Sequence, residues 1–252
     1  MTEILTSTEN AILTITLNRP EKRNALNDAL INSLKDALRE ADKADKLRAI
    51  LIKGAGRDFC SGADLSALQK ISENGVLENL SDAENLLELF ALIRKIKIPV
   101  IAAVHGKALA GGCGLATACD LVLASRSARF GYPEVKIGFV PAMVMAILRR
   151  NLSEKRSFEL ITQGFDFSSE EAERINLINR VFDDETFDED VKNYVSIYEN
   201  VSRSAVVLSK KLLYQMDGMT FETALETGAE VNTIARLTED CRRGIAKFLE
   251  KK

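Results

Sequence analysis

The run Ile98-Pro99-Val100-Ile101-Ala102-Ala103-Val104 carries no polar side chain. Seven residues are far too few to cross a bilayer. The run reads instead as a central strand of a sheet, with Pro99 near its start, where a missing N–H is tolerated. The chain before it alternates strand and helix signals. Residues 11–17 set apolar positions against Thr14 and Thr16, the period-two pattern of a half-exposed strand, and Asn18-Arg19-Pro20 closes it. Asn24 predicts the N-cap of a helix running to about residue 42, with Leu26, Leu30, Leu34 and Leu38 on one face. Residues 47–52 predict a buried strand. Residues 66–78 are polar and weakly patterned and predict a mobile stretch, with helix resuming over 82–95. A helix over 112–119 and a strand over 120–124 follow. Strand and helix in this order predict an α/β fold with parallel strands.

Beyond about residue 153 the pattern turns helical. Ser168 with Glu171 three residues on has capping-box spacing, and residues 217–252 predict two helices. The expected organisation is a core over 1–200 and a helical C-terminal region over 201–252. At 252 residues the chain can bury a full core. A net charge of −3 gives no reason to expect nucleic acid or a membrane surface as partner. The first residues show no secretory pattern, which predicts a cytoplasmic protein with Cys60, Cys113, Cys119 and Cys241 as reduced thiols. One histidine, and cysteines without zinc-like spacing, predict that no metal is bound.

The chemistry concentrates in two small-residue loops and one carboxylate. Gly111-Gly112-Cys113-Gly114 opens a predicted helix, and Phe59-Cys60-Ser61-Gly62-Ala63-Asp64 forms a second loop upstream. Each can present a bare backbone N–H, and the positive end of the helix dipole favours negative charge at Gly111. Two such donors can hold a thioester oxygen as it becomes an enolate, while Glu134, in Phe130-Gly131-Tyr132-Pro133-Glu134, moves the proton.

These motifs carry a resemblance. Leu17-Asn18-Arg19-Pro20 with Asn24-Ala25-Leu26, the loop continuing to Leu65, the run from Ile98 to His105-Gly106, Ala110 to Ala116 with Cys119-Asp120, the Glu134 motif, Gly138-Phe139-Val140-Pro141 and Gly244-Ile245-Ala246-Lys247-Phe248-Leu249 stand in the order and spacing of one family. The chain resembles the enoyl-CoA hydratase/isomerase (crotonase) family over nearly its whole length. The resemblance implies a spiral of ββα units with a helical C-terminal region that builds homotrimers or homohexamers. It implies an acyl-CoA ligand, with CoA as part of the substrate and no separate cofactor, and a place in fatty acid metabolism. It assigns the oxyanion hole to the N–H groups of Ala63 and Gly111 and the acid/base to Glu134. It draws Lys22, Arg23, Ser61, Gly62, Asp64, Leu65, Gly112, Gly114, Tyr132, Phe139 and Phe248 into the substrate site.

One position departs from the pattern. Two-glutamate hydratases of the family carry a second catalytic glutamate where this chain has Gly114. Hydration is most easily split between two groups, whereas one base can shuttle a proton from Cα to Cγ, so Gly114 alone favours an isomerase. The wider motif is similar to bacterial methylglutaconyl-CoA-type hydratases, and this tilts the reading to a hydratase, with the isomerase as alternative. A CoA-binding scaffold without chemistry is a further alternative. Without a nucleophile elbow, a serine peptidase on the same superfold ranks low. Restoring a carboxylate by Gly114→Glu is expected to raise hydration. Glu84 and Glu88 are candidate replacement acids, although helix-surface charge is the simpler reading. His105 reads as a structural hydrogen bond at a strand end, and Asp64 and Asp120 as caps.

Overall fold

The structure, a computed structural model, describes residues 2–250, Leu65 in its backbone alone. The larger of two sheets sets β1 (Ile4–Glu9), β2 (Ile12–Leu17), β3 (Ala49–Gly54), β4 (Val100–Val104), β6 (Leu121–Ser125) and β9 (Arg180–Phe182) side by side in that order. Only the β1–β2 pair is antiparallel. The smaller sheet joins β5 (Lys107–Leu109), β7 (Arg129–Gly131) and β8 (Asp166–Ser168). The chain crosses from the first sheet to the second twice, from β4 to β5 through His105-Gly106 and from β6 to β7 through Arg126-Ser127-Ala128.

The apolar run forms β4, buried at every position. Val100, Ala102 and Val104 belong to the main core, while Ile101 and Ala103 face a second cluster with Phe187, Val191 and Val195 of α8 (Phe187–Val195). Both faces are covered, so neither needs a polar side chain. Helix α1 (Asp28–Lys43) buries the predicted stripe Leu30, Leu34 and Leu38.

Two expectations are corrected, and one element is added. The N-cap of α1 is Asn27, whose side chain accepts the Leu30 N–H, and Asn24 is a wholly buried residue with φ 54°. Residues 66–78 are not an unstructured stretch. They form α2 (Leu65–Glu73), capped by Asp64, and the start of α3 (Val76–Lys95). Their polar side chains face solvent rather than break the helix. Strand β1 was not foreseen. It lies at a sheet edge, five of its six side chains are exposed, and it shows no burial pattern to read.

Helix α4 (Gly111–Ala118) follows β5, and α5 (Ala142–Asn151) and α6 (Glu154–Gln163) follow the Glu134 segment. Ser168 caps α7 (Ser169–Arg174) by accepting the Glu171 N–H. After α9 (Ile197–Asn200) come α10 (Arg203–Gln215), α11 (Phe221–Leu237) and α12 (Glu239–Glu250). Lys210 locks α10 to the core. Its buried ammonium donates to the Ile93 and Ile98 carbonyls and to Asp120 Oδ2 at 3.1, 3.0 and 2.6 Å. Tyr214 donates to Asp120 Oδ1 at 2.5 Å, and the Val100 N–H donates to Oδ2. Asp120 therefore clamps α10 to β4 rather than capping a helix. Neither α11 nor α12 has a buried residue, and Phe221, Leu225, Ile234, Leu237, Ile245 and Leu249 are exposed.

Candidate functional site

The two small-residue loops meet backbone to backbone. A side chain at Gly62 (φ 98°) would strike Ala110 Cβ at 2.9 Å, and one at Gly112 would run into the Cys60 carbonyl. Glycine is what permits this approach. Leu26 pairs with the Gly62–Asp64 segment: its N–H donates to Gly62 O at 2.7 Å and its carbonyl accepts the Asp64 N–H at 2.9 Å. This pairing leaves the intervening Ala63 N–H pointing away, with no acceptor among the described residues. Gly111 opens α4, so its N–H also lacks an intrahelical acceptor. Ala110 before it holds φ 50°, ψ −128°, a costly conformation for a residue with a Cβ. That ψ orients the Gly111 amide, so the strain sits where it aims an N–H. The nitrogen of Gly111 lies 3.6 Å from the Cβ position of Gly62. The structure thus brings both predicted donors to one place.

Glu134 arrives from the neighbouring strand. The Ala110 N–H donates to Gly131 O at 2.9 Å, tying the end of β5 to the end of β7, and a short 3-10 turn, Pro133–Ile137, then carries Glu134. Its charge is felt by Cys113 of α4 and by Tyr132. Glu134 Oε2 is buried and has no hydrogen-bond partner among the described residues. Burial raises the Glu134 pKa, opposed only by a hydrogen bond from its own backbone. A buried, unpaired carboxylate oxygen is costly as structure and useful as proton-transfer machinery.

Gly114, the position of the missing acid, is buried one turn into α4. A Cβ there would lie 2.8 Å from Val144 Cγ2 and 3.0 Å from Phe90 Cζ. The slot is filled by apolar side chains. Glu84 and Glu88 do not replace the acid at this spot, since both are exposed on α3 and Glu88 pairs with Lys35 at 2.9 Å.

The other predicted contacts divide. Lys22 and Arg23 are exposed at the turn after Pro20, and the Arg23 carbonyl accepts the Ser61 N–H at 3.1 Å, which places this basic pair beside the first amide loop. Phe139 and Phe248 are exposed. Tyr132 lies in the core. It is fully buried, its hydroxyl lies 3.4 Å from Thr117 Oγ1, and burial raises its pKa well above the ordinary value. Asp64 is a strut. Its Oδ1 accepts the Ser66 N–H and its Oδ2 meets Arg19 Nη2 at 2.7 Å. Burial opposes its ionisation, but the Ser66 amide and the Arg19 guanidinium outweigh it and hold the carboxyl below its usual range. Leu65 opens α2, and its side chain lies outside the described residues. Cys113 is buried and its thiol is pushed up to about 12 by that burial, so it is no nucleophile. His105 Nε2 lies 3.0 Å from the Gly56 carbonyl, the expected strand-end bond.

Sequence reasoning missed the supports. Arg19 joins Asp64 to the Ala25 carbonyl, and Asn24 accepts the Arg19 N–H while donating to the Ala55 and Asp58 carbonyls at 2.9 and 2.7 Å. The available signal was a polar pair, Arg19 and Asn24, set just before an apolar helix face.

A profile of the enoyl-CoA hydratase/isomerase family matches residues 7–252. A Thermus thermophilus protein assigned as an enoyl-CoA hydratase is 38% identical over 96% of this chain and 95% of its own. The 2,3-dehydroadipyl-CoA hydratase of Escherichia coli is 32% identical over 100% and 97%, and the 1,2-epoxyphenylacetyl-CoA isomerase of the same organism 31% over 99% and 96%. The solved structure of an enoyl-CoA hydratase from Mycobacterium smegmatis superposes with a TM-score of 0.96 at 29% identity, covering 100% of this chain and 98% of that one.

Proposed function

The chain belongs to the enoyl-CoA hydratase/isomerase family, and on that footing we propose that it adds water to, or removes it from, a short or branched α,β-unsaturated acyl-CoA. Water oxygen bonds to Cβ as Glu134 takes the water proton. The electron pair of the double bond moves through Cα onto the thioester oxygen, where the Ala63 and Gly111 amides stabilise the enolate. The enolate collapses as Glu134 returns a proton to Cα, so atoms and charge balance. The observation that carries this reading is the buried Glu134 Oε2, unpartnered and with its pKa raised, on the strand-end turn tied to the Gly111 loop by the Ala110–Gly131 hydrogen bond.

A second reading, migration of the double bond by the same carboxylate, is favoured by Gly114. Phe90 and Val144 close the slot where a second acid would hold the attacking water. The site's intact donors and acid weigh against a scaffold without chemistry. The exposed apolar side chains of α11 and α12 support assembly of the chain as a homotrimer or homohexamer. The test is a panel of 2-enoyl- and 3-enoyl-CoA thioesters assayed separately for water addition and for bond migration. Hydration of at least one 2-enoyl-CoA is expected. Migration with no hydration of any member rejects the hydratase in favour of the isomerase.

A further inference from the structure

We propose that the corner between the two sheets is a second binding site, one that takes a phosphate dianion. A cavity of about 650 Å³ lies there, outside the carboxyl ends of β3, β4 and β6 and at the starts of β5 and β7. Ala63, Gly111 and Glu134 do not line it. They sit past the opposite ends of β5 and β7, a strand length of roughly 7 Å or more away.

The case rests on cations that the protein does not neutralise. Lys107 and Arg129 are partners in the parallel β5–β7 register, so their side chains leave the same face of neighbouring strands, about 4.8 Å apart at the backbone. Like charges in such positions repel. Arg57 joins them from the loop after β3, and Lys53 from the end of β3. Three carboxylates also line the cavity, and none lies within ion-pair distance of the Arg57, Lys107 or Arg129 side chains. Asp58 accepts the Lys107 N–H at 3.0 Å and faces Arg23 at 3.9 Å. Asp184 Oδ1 accepts both the Ser127 N–H and its hydroxyl, at 3.1 and 2.7 Å. Asp188 lies 3.5 Å from Lys53. Arg57, Lys107 and Arg129 are left with no carboxylate partner among the described residues. In the same wall, the buried Ser125 hydroxyl faces Asp184.

Even with the Asp184 carboxylate set against them, Arg57, Lys107 and Arg129 leave an excess of positive charge that a single carboxylate ligand does not match. Two guanidinium forks match the paired oxygens of a phosphate. Free phosphate and a phosphomonoester share this chemistry, and the cavity has room for either.

The test is calorimetric titration of the full chain with inorganic phosphate and, separately, with adenosine monophosphate, each at low salt. Both are repeated on the double variant Lys107→Gln/Arg129→Gln and on Arg57→Gln, which lies in an exposed loop. Binding with a Kd of about 1 mM or tighter is expected, weakened about tenfold or more in the double variant. Hydration of enoyl-CoA by the variants should stay at the wild-type rate. Tighter binding of the monophosphate identifies an organic phosphate as the ligand, and equal binding identifies the free ion. Absence of heat with both ligands at about 10 mM, or equal affinity in wild type and variants, overturns the proposal.

Discussion

Replacing Gly114 by alanine tests the closed slot directly. In a helix interior this change gains about 1 kcal/mol of propensity. Against that, the new Cβ falls 2.8 Å from Val144 Cγ2 and 3.0 Å from Phe90 Cζ, inside ordinary contact distance. Both neighbours are buried, at 4% and 6% exposure. Overpacking of this kind costs about 1–3 kcal/mol, so the clash prevails and a net loss of up to about 2 kcal/mol is expected. For a chain of this size that lowers Tm by up to about 8 °C. Val144→Ala removes the nearer obstacle and destabilises on its own. The double variant should be more stable than the sum of the singles predicts, by about 1 kcal/mol. Thermal and urea unfolding of the four proteins measure this cycle. A Gly114→Ala variant that melts above wild type, with strictly additive effects, would refute the packing argument. The same geometry reverses the expectation that Gly114→Glu raises hydration. With Phe90 and Val144 in place the longer side chain displaces core residues, and both hydration and bond migration should fall.

Three further outcomes follow from the geometry. Burial raises the folded-state pKa of Glu134, so the folded chain holds this proton to higher pH than the unfolded chain; stability from this group falls as pH rises from the ordinary carboxylate range through the raised value. Glu134→Gln should therefore melt above wild type at neutral pH and lose that advantage at acid pH, while the rising limb of the wild-type kcat/KM profile lies above the ordinary carboxylate range. Gly111→Val should misplace one oxyanion donor and remove about 3 kcal/mol of transition-state stabilisation, read as kcat. Its Tm should change little, because the new Cβ meets only side-chain tips, Leu26 Cδ1 at 3.3 Å and Leu86 Cδ2 at 4.0 Å. Asp120→Ala leaves the Lys210 ammonium buried without its carboxylate and should cost about 3–5 kcal/mol in unfolding experiments.

The parts of the fold that were legible are those whose signal is local. An all-apolar run must be covered on both faces, so Val100–Val104 was readable as a central strand. Ser168 announces a helix because its hydroxyl accepts the Glu171 N–H within one turn. The three-residue strands β5, β7, β8 and β9 were missed because three residues carry no period, and only pairing across the chain defines them. Lys210 was invisible for a similar reason. Its partners Ile93, Ile98 and Asp120 lie about ninety residues or more away in sequence, and nothing near Lys210 marks it as buried. At the site, the resemblance pointed to Ala63, Gly111 and Glu134, and the fold draws their segments together. It did not reveal that Arg19, Asn24 and Asp64 form the brace beneath the first amide, nor that Tyr132 turns into the core.

The central claim is that Glu134 moves the proton while the two amides hold the thioester oxygen. Its most direct test is single-turnover conversion of an enoyl-CoA by Glu134→Gln, with affinity for a non-reacting acyl-CoA measured on the same protein. The isosteric amide keeps shape and removes proton transfer, so conversion should slow by at least ~100-fold while affinity stays within a few-fold of wild type. Conversion at the wild-type rate would show that another group carries the proton and would contradict the account.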